Sequence, residues 1–336
     1  MRIAIVGAGA MGTLLGHGLG RGGHDVSLLD LPARIAQIQS AGKIVVYDPD
    51  GAKSGNTPTL ATADYGNAGV HDVVFLATKS QDLPAVAAKI PQLMDESTVV
   101  VTIQNGLPWW YFQGLESDHG ITRIECLDPE GSLERHIPSS QIVGCVAYPA
   151  AMMAADGTVH HVEGDRFPVG ELDGSMSERA QRLVGLFEDA GFRSRVIDDI
   201  RSELWLKAWG AISINPVSAL TRATMEDICT FPETCAIVET MMREVQELAE
   251  TLGATFRHTI ERRIEGARAV GAHKTSMLQD VECGRPLELD AVMLAVVELA
   301  ERIGMDIPTV KAVYACTALL NKSLLPASQQ LEERIA

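Results

Sequence analysis

The sequence contains no C-x-x-C pair: Cys126, Cys145, Cys229, Cys235, Cys283 and Cys316 are scattered along the chain. That spacing excludes the usual zinc patterns and a small disulfide scaffold, so no metal site is expected. Reduced thiols in a cytoplasmic protein are the expectation instead. Positive charge is also scarce, with 28 Lys and Arg against 44 Asp and Glu and a formal net charge of -16. Counterion release needs clustered cations, so no nucleic-acid partner is expected. A small anionic ligand remains compatible, because backbone amides and a few local cations suffice for it. No uninterrupted apolar run approaches the roughly 20 residues of a membrane span, so no membrane partner is expected. The start, MRIAIVGAGAMGTLLGHGLG, imitates a signal peptide, but Gly7, Gly9 and Gly12 would interrupt its apolar helix. What is present is a chain of 336 residues, 46% hydrophobic, enough for two ordinary domains with a sizeable core.

The first half alternates short apolar runs with helical patterns. RIAIV (2–6), DVSLLD (25–30), DVVFLAT (72–78) and STVVVTI (97–103) read as strands of a parallel sheet with covering helices. Residues 141–172 read as a strand-rich antiparallel or mixed extension, followed by a helix over 177–190 and a strand near 193–197. After about Asp198 nearly everything reads as helix: 200–220, 233–253, 257–271, a stretch from 274, 287–304 and 308–322. The expected division is therefore an α/β dinucleotide-binding domain over 1–198 and an all-helical substrate domain over 199–336. The apolar helices 287–304 and 308–322 suit either core or the face of a homodimer.

VGAGAMG follows the first strand directly and opens a helix, which gives G-x-G-x-x-G its required context. Gly7 allows the tight turn, Gly9 lets the backbone approach a pyrophosphate, and Gly12 lets the helix pack close to the sheet. Around Ala10 and Met11 the helix N-terminus offers amides and a positive dipole end to the phosphates. Asp30 ends the second strand, where a carboxylate can bond both ribose hydroxyls and repels a 2′-phosphate. That favours NAD(H) over NADP(H), although nearby Arg34 could accept a 2′-phosphate. Thr78 and Lys79 end another strand and should face the cofactor crevice. Asn105, in TIQNGL, is placed to bond a substrate or the nicotinamide ribose, the alternative being that Asn105-Gly106 only makes a turn.

RSELWLKAWGAISINPVSAL (201–220) puts Lys207 and Asn215 in strongly apolar company. Positions 207, 211 and 215 share one helix face. A snorkelling lysine with a packed stem is the structural alternative to a functional one. A second polar constellation, AHKTSMLQDVECGRPLELD (272–290), holds Ser276, Gln279, Asp280, Arg285, Glu288 and Asp290, which could equally be a solvated loop and helix cap.

Taken together, the glycines, Thr78-Lys79, QNG at 104–106, ELWLKAWGAISINPVSAL and SMLQDVECGRPLELD resemble the ketopantoate reductase (2-dehydropantoate 2-reductase) family. The resemblance runs in order from residue 2 to about 320. It implies an N-terminal Rossmann-type α/β domain and an all-α C-terminal domain like that of 6-phosphogluconate dehydrogenase. It also implies NAD(P)H-dependent reduction of a 2-oxo acid, ketopantoate to pantoate, in the cleft between domains. Lys207 matches the family's proton donor and Glu288 the residue that holds substrate and lysine. Asn105, Asn215 and Ser276 fall on substrate-side positions, and Lys79 on a cofactor-side one. The chemistry is coherent, since hydride addition creates an alkoxide that needs a cationic donor. Three positions depart from the family: Ala211 stands where an asparagine is usual, Asp30 where many members carry a basic residue, and Leu287 where threonine is common. Ala211 keeps open a related dehydrogenase acting on another hydroxy acid. A non-catalytic NAD(H) sensor is a second rival, disfavoured because it would need only the first domain.

Overall fold

The computed structural model describes residues 1–324. Its contacts divide the chain into two units. The first comprises 1–104, 108–116 and 128–200, and the second comprises 105–107, 117–127 and the chain from 201 onward. The end of the helical domain expected to reach residue 336 lies outside the described residues.

In the first unit the order is β1 (Arg2–Val6), α1 (Ala10–Arg21), β2 (Asp25–Leu29), α2 (Pro32–Ala41), β3 (Ile44–Tyr47), β4 (Lys53–Asn56), β5 (Leu60–Thr62), α3 (Tyr65–Ala68) and β6 (Val73–Leu76). Then follow α4 (Leu83–Val86), β7 (Val99–Thr102), α5 (Ser132–His136), β8 (Ile142–Cys145), β9 (Ala150–Met153), β10 (Val159–Glu163), β11 (Val169–Glu171) and α6 (Glu178–Asp189). The main sheet has the order β11-β8-β7-β6-β1-β2-β5, parallel except for β11. β1, β6 and β7 sit at its centre with nearly every residue buried, as their unbroken Val/Ile/Leu/Phe character requires of strands covered on both faces. The strand order reverses beside β1, so the carboxyl ends of β1 and β6 flank the place where such sheets bind ligands.

The expected mixed extension is present but divided. β8 and β11 lengthen the main sheet, while β9 and β10 join β3 and β4 in a second sheet of order β4-β3-β10-β9. Residues 44–62 carry three short strands that the sequence pattern left unassigned. The expected strand near 193–197 is a correction: the segment makes only isolated bridges, Arg166 to Arg193 and Val169 to Val196. It runs beside 165–169 through backbone bonds without settling into a regular ladder.

The second unit contains α7 (Ile200–Thr221), whose first residue the contacts place in the first unit. It continues with α8 (Met225–Thr230), α9 (Pro232–Thr251), α10 (Ile260–Ala269), α11 (Ser276–Glu282), α12 (Ala295–Ile303) and α13 (Pro308–Leu324). The helix expected over 287–304 has regular α geometry only from Ala295, because Asp290–Leu294 form a wider π-turn. α8, not expected, is set by a capping box in which Thr224 and Asp227 satisfy each other's backbone amides. α7 continues through Pro216, which cannot donate to the Ile212 carbonyl. Packing holds it: Trp205 and Trp209 are fully buried, and the Trp209 indole N–H donates to Met242 O on α9 at 2.7 Å.

At the start of α7 the Glu203 carboxylate is only 2% exposed and receives both guanidinium arms of Arg257, which links α7 to the segment before α10. Removing one partner of such a pair strands a buried charge. Arg257→Ala should therefore lower unfolding stability by about 3 kcal/mol, with Arg257→Lys recovering part of it. Chemical denaturation followed by circular dichroism measures this, and an unchanged midpoint would show that Arg257 is not what holds the buried Glu203.

Candidate active site

The glycine loop is shaped as its spacing predicts. Gly7 has φ +103°, and a Cβ there would stand 2.5 Å from Thr78 N and 2.7 Å from Ala77 C. A Cβ on Gly12 would stand 1.9 Å from Gly7 O. A Cβ on Gly9 would meet nothing within 4 Å. Two glycines are thus fixed by the protein's own packing, while the third faces open space, where a ligand's approach can account for it. Gly9 is also the N-cap of α1, and no side chain caps that helix, so the amides around Ala10 and Met11 are left for another acceptor.

Asp30 lies half-buried beside this loop. One of its oxygens accepts Ala8 N–H at 2.5 Å and the other accepts Leu31 N–H at 2.6 Å. Arg34 is a buttress: Nε donates to Ala8 O at 2.9 Å, Nη1 to Gln37 Oε1 at 2.6 Å and Nη2 to Thr13 Oγ1 at 3.2 Å. Burial lowers the affinity of its guanidinium for its proton, and Asp30 opposes that. Across the sheet, Lys79 is half-buried at the end of β6. Burial pushes the neighbouring Asp82 carboxyl up, and Lys79 counters that shift. Gln104, the first residue of the QNG stretch, donates Nε2 to Leu76 O at 2.7 Å and Thr78 O at 3.1 Å. It ties the ends of β6 and β7 together, and its place at a strand's carboxyl end was the only available signal. Thr78 Oγ1 is buried with no hydrogen-bond partner. The open Gly9, the uncapped α1 and this orphan hydroxyl fit a dinucleotide lying over the loop.

In the second unit the interrupted-looking helix acquires a reason. From Ser202 to Ala219 every residue of α7 is buried except Lys207, Ala211 and Asn215. At 100° per residue these three fall within about 80° of one another on the helix surface. The helix is core on all sides but one stripe, and the stripe carries Lys207 and Asn215. Lys207 Nζ donates to Asn105 Oδ1 at 2.7 Å.

Asn105 reaches this unit through the turn that follows β7. Gly106 has φ +78°, and a Cβ there would stand 2.1 Å from Ala291 O, inside the π-turn. Leu107 N–H donates to the same Ala291 carbonyl at 2.9 Å. Asn105-Gly106 thus makes a turn and also presents a side chain to Lys207. Glu288 is half-buried two residues before the π-turn. The segment before it is fixed where Leu287 N–H donates to Asn321 Oδ1 of α13 at 2.8 Å. Leu287, the departure from threonine, is 3% exposed and fills the core. Ser276 is exposed at the start of α11, whose cap is Thr275. The structure brings Lys207 and Asn105 into contact and aligns Asn215 with them.

A model of the ketopantoate reductase PanE/ApbA family matches residues 3–174, and one of its C-terminal region matches 199–321. A Mesorhizobium japonicum protein named 2-dehydropantoate 2-reductase is 42% identical over 316 residues, covering 94% of this chain and 96% of that one. The chain belongs to the ketopantoate reductase family. Among solved structures, a candidate ketopantoate reductase from Ralstonia solanacearum MolK2 is 34% identical with TM-score 0.90, covering 96% of this chain and 98% of that one. A 2-dehydropantoate 2-reductase from Geobacter metallireducens GS-15 is 26% identical with TM-score 0.82, covering 95% and 99%. A ketopantoate reductase fold, an α/β sheet domain followed by an all-helical one, is therefore the architecture of this chain. Among the described residues no helix is long and apolar enough to cross a membrane.

Proposed function

We propose that Lys207 is the general acid in reduction of a 2-oxo acid to a 2-hydroxy acid. Ketopantoate to pantoate is the reaction that family membership and the 42% identical relative support. The observation that carries the role is the 2.7 Å bond from Lys207 to Asn105 at the head of the one unburied stripe of α7. The dinucleotide supplies the hydride. Gly9 and the amides around Ala10 and Met11 would hold its pyrophosphate, Gly7 and Gly12 shape the loop that presents them, and Lys79 would serve that same side. Lys207 places a proton at the carbonyl oxygen as charge develops there, so hydride plus proton completes the alcohol. Asn105 accepts one ammonium N–H and fixes where the remaining donors point. Asn215, Ser276 and Glu288 complete the substrate side, with Glu288 favouring the protonated lysine. The reaction is tested by following nicotinamide absorbance with ketopantoate and a panel of branched 2-oxo acids. No turnover of any of them would leave the sensor reading standing.

The cofactor reading is NAD(H). Asp30 places a carboxylate beside the loop, and Arg34 spends its donors on Ala8, Thr13 and Gln37. Fluorescence titration should show NADH bound more tightly than NADPH. Asp30→Ala should narrow that ratio by about a hundredfold, the scale of a close charge–charge repulsion at partial exposure. A preference for NADPH in the unmodified protein would overturn the reading. A homodimer is the assembly we propose, and sedimentation of the purified protein tests it; of the two apolar helices, α12 is buried as core within the chain, and only α13, with Leu319 exposed, is left to serve as a face.

A further inference from the structure

We propose that a cavity in the first unit, beside the C-terminal half of α1, is a second small-molecule site that takes a zwitterion with an apolar body, an α-amino acid being the simplest case. The site goes beyond the reduction assigned to α7 and does not depend on it. Its volume is about 410 Å³, within the range of ordinary ligand sites. Its α1 wall runs from Leu14 to Arg21, and Arg21 stands about 18 Å along the helix from Gly9. The glycine loop and this cavity thus use opposite ends of one helix, and a molecule lodged here is not the dinucleotide.

The floor is apolar, formed by the buried Leu14 and Phe192. Gly18 lets the end of α6 close over it, since a Cβ there would stand 2.5 Å from Ala190 O. The polar wall decides the chemistry. His17 is 4% exposed and has both ring nitrogens held, Nδ1 by Asn56 Oδ1 at 2.7 Å and Nε2 by Ser54 Oγ at 2.8 Å. Burial lowers its proton affinity, so at neutral pH it is a fixed, uncharged surface. Asp189 is also taken, by His24 Nε2 at 3.1 Å. Arg21, exposed at the rim, and Asp48, half-buried, are left. Among the described residues neither side chain makes a hydrogen bond or ion pair, yet both lie near enough to His17 to pull its proton affinity in opposite directions. One cavity therefore presents an unmatched cation, an unmatched anion and an apolar floor. A guanidinium suits a carboxylate, and a carboxylate suits an ammonium group. A ligand with one charge would satisfy only one of the two. An α-amino acid with a branched or aromatic side chain satisfies both and fills the floor.

The test is isothermal titration calorimetry of the full chain with L-leucine and L-phenylalanine, each beside the analogue lacking its ammonium group and the analogue lacking its carboxylate. At least one amino acid should bind with a Kd of about 1 mM or tighter, and its single-charge analogues about tenfold more weakly, the scale of one partly exposed ion pair. In Arg21→Met the amino acid should bind no better than the analogue without a carboxylate. In Asp48→Asn it should bind no better than the analogue without an ammonium group. NADH titration of both variants should match the unmodified protein, which establishes that the fold is kept; if Arg21→Met fails that check, Arg21→Gln replaces it. Lys207→Met should leave amino-acid binding as it was, because a molecule resembling the substrate could otherwise be sitting on α7. Binding of neither amino acid, analogues that bind as tightly as the parent, variants that keep the discrimination, or binding lost in Lys207→Met would each overturn the proposal.

Discussion

Lys207→Met should lower the turnover of a 2-oxo acid by about 10²- to 10⁴-fold, the usual contribution of a positioned general acid. The side chain keeps its length and its packed stem, so the protein keeps its fold. What disappears is the ammonium group that bonds Asn105, the group proposed above as the proton donor. NADH affinity should be unchanged, because the glycine loop belongs to the first unit. Lys207→Arg restores the charge without restoring turnover, since a guanidinium does not release its proton in this pH range. Steady-state kinetics with tight NADH binding confirmed in parallel are the measurement. Full turnover in Lys207→Met would return the lysine to the snorkelling role that its sequence context also allowed.

Gly106→Ala is expected to damage both the fold and the chemistry. Its φ of +78° is costly for any side chain, and the added Cβ would lie 2.1 Å from Ala291 O, well inside contact distance. Either the turn or the π-turn must move, at about 3 kcal/mol for strain and overpacking together. Moving the turn also moves Asn105, and a shift of about 1 Å at a positioning group can cost about a hundredfold in rate. Gly114→Ala is the control, because Gly114 shares the left-handed backbone at φ +69° but its Cβ would meet nothing within 4 Å. It should cost only about 1 kcal/mol and leave kcat alone. Thermal melts and kcat on both variants separate backbone strain from displacement of the site. Similar behaviour of the two would show that Gly106 has no special relation to the π-turn.

The contrast between these residues shows what was legible in the sequence. The glycine loop could be read because its function and its local geometry are both short-range: three spacings after a strand. Lys207 could be suspected because an ammonium group is conspicuous among tryptophans. Its partner Asn105 lies 102 positions away, and no periodicity links them. Gln104 was hidden for a different reason, since an amide that ties two strand ends looks like any polar residue at a strand end. The strands within 44–62 were missed because each is three or four residues long, too short for alternation to show. The π-turn was invisible because Asp290–Leu294 has the composition of ordinary helix, and its partner, the Leu107 N–H that donates to Ala291 O, lies far away in sequence.

The compositional boundary near residue 200 also looks like a natural place to exchange one half of the chain for a relative's. It is not one. The helical unit owns 105–107 and 117–127, with Glu125 and Cys126 N–H groups held by Glu298 as well as Leu107 held by Ala291. A crossover at that boundary would pair Lys207 from one parent with Asn105 and its turn from the other. Inheritance of this pair is therefore joint across two distant stretches of sequence, and recombinants that ignore the short one would inherit Lys207 without the asparagine it bonds.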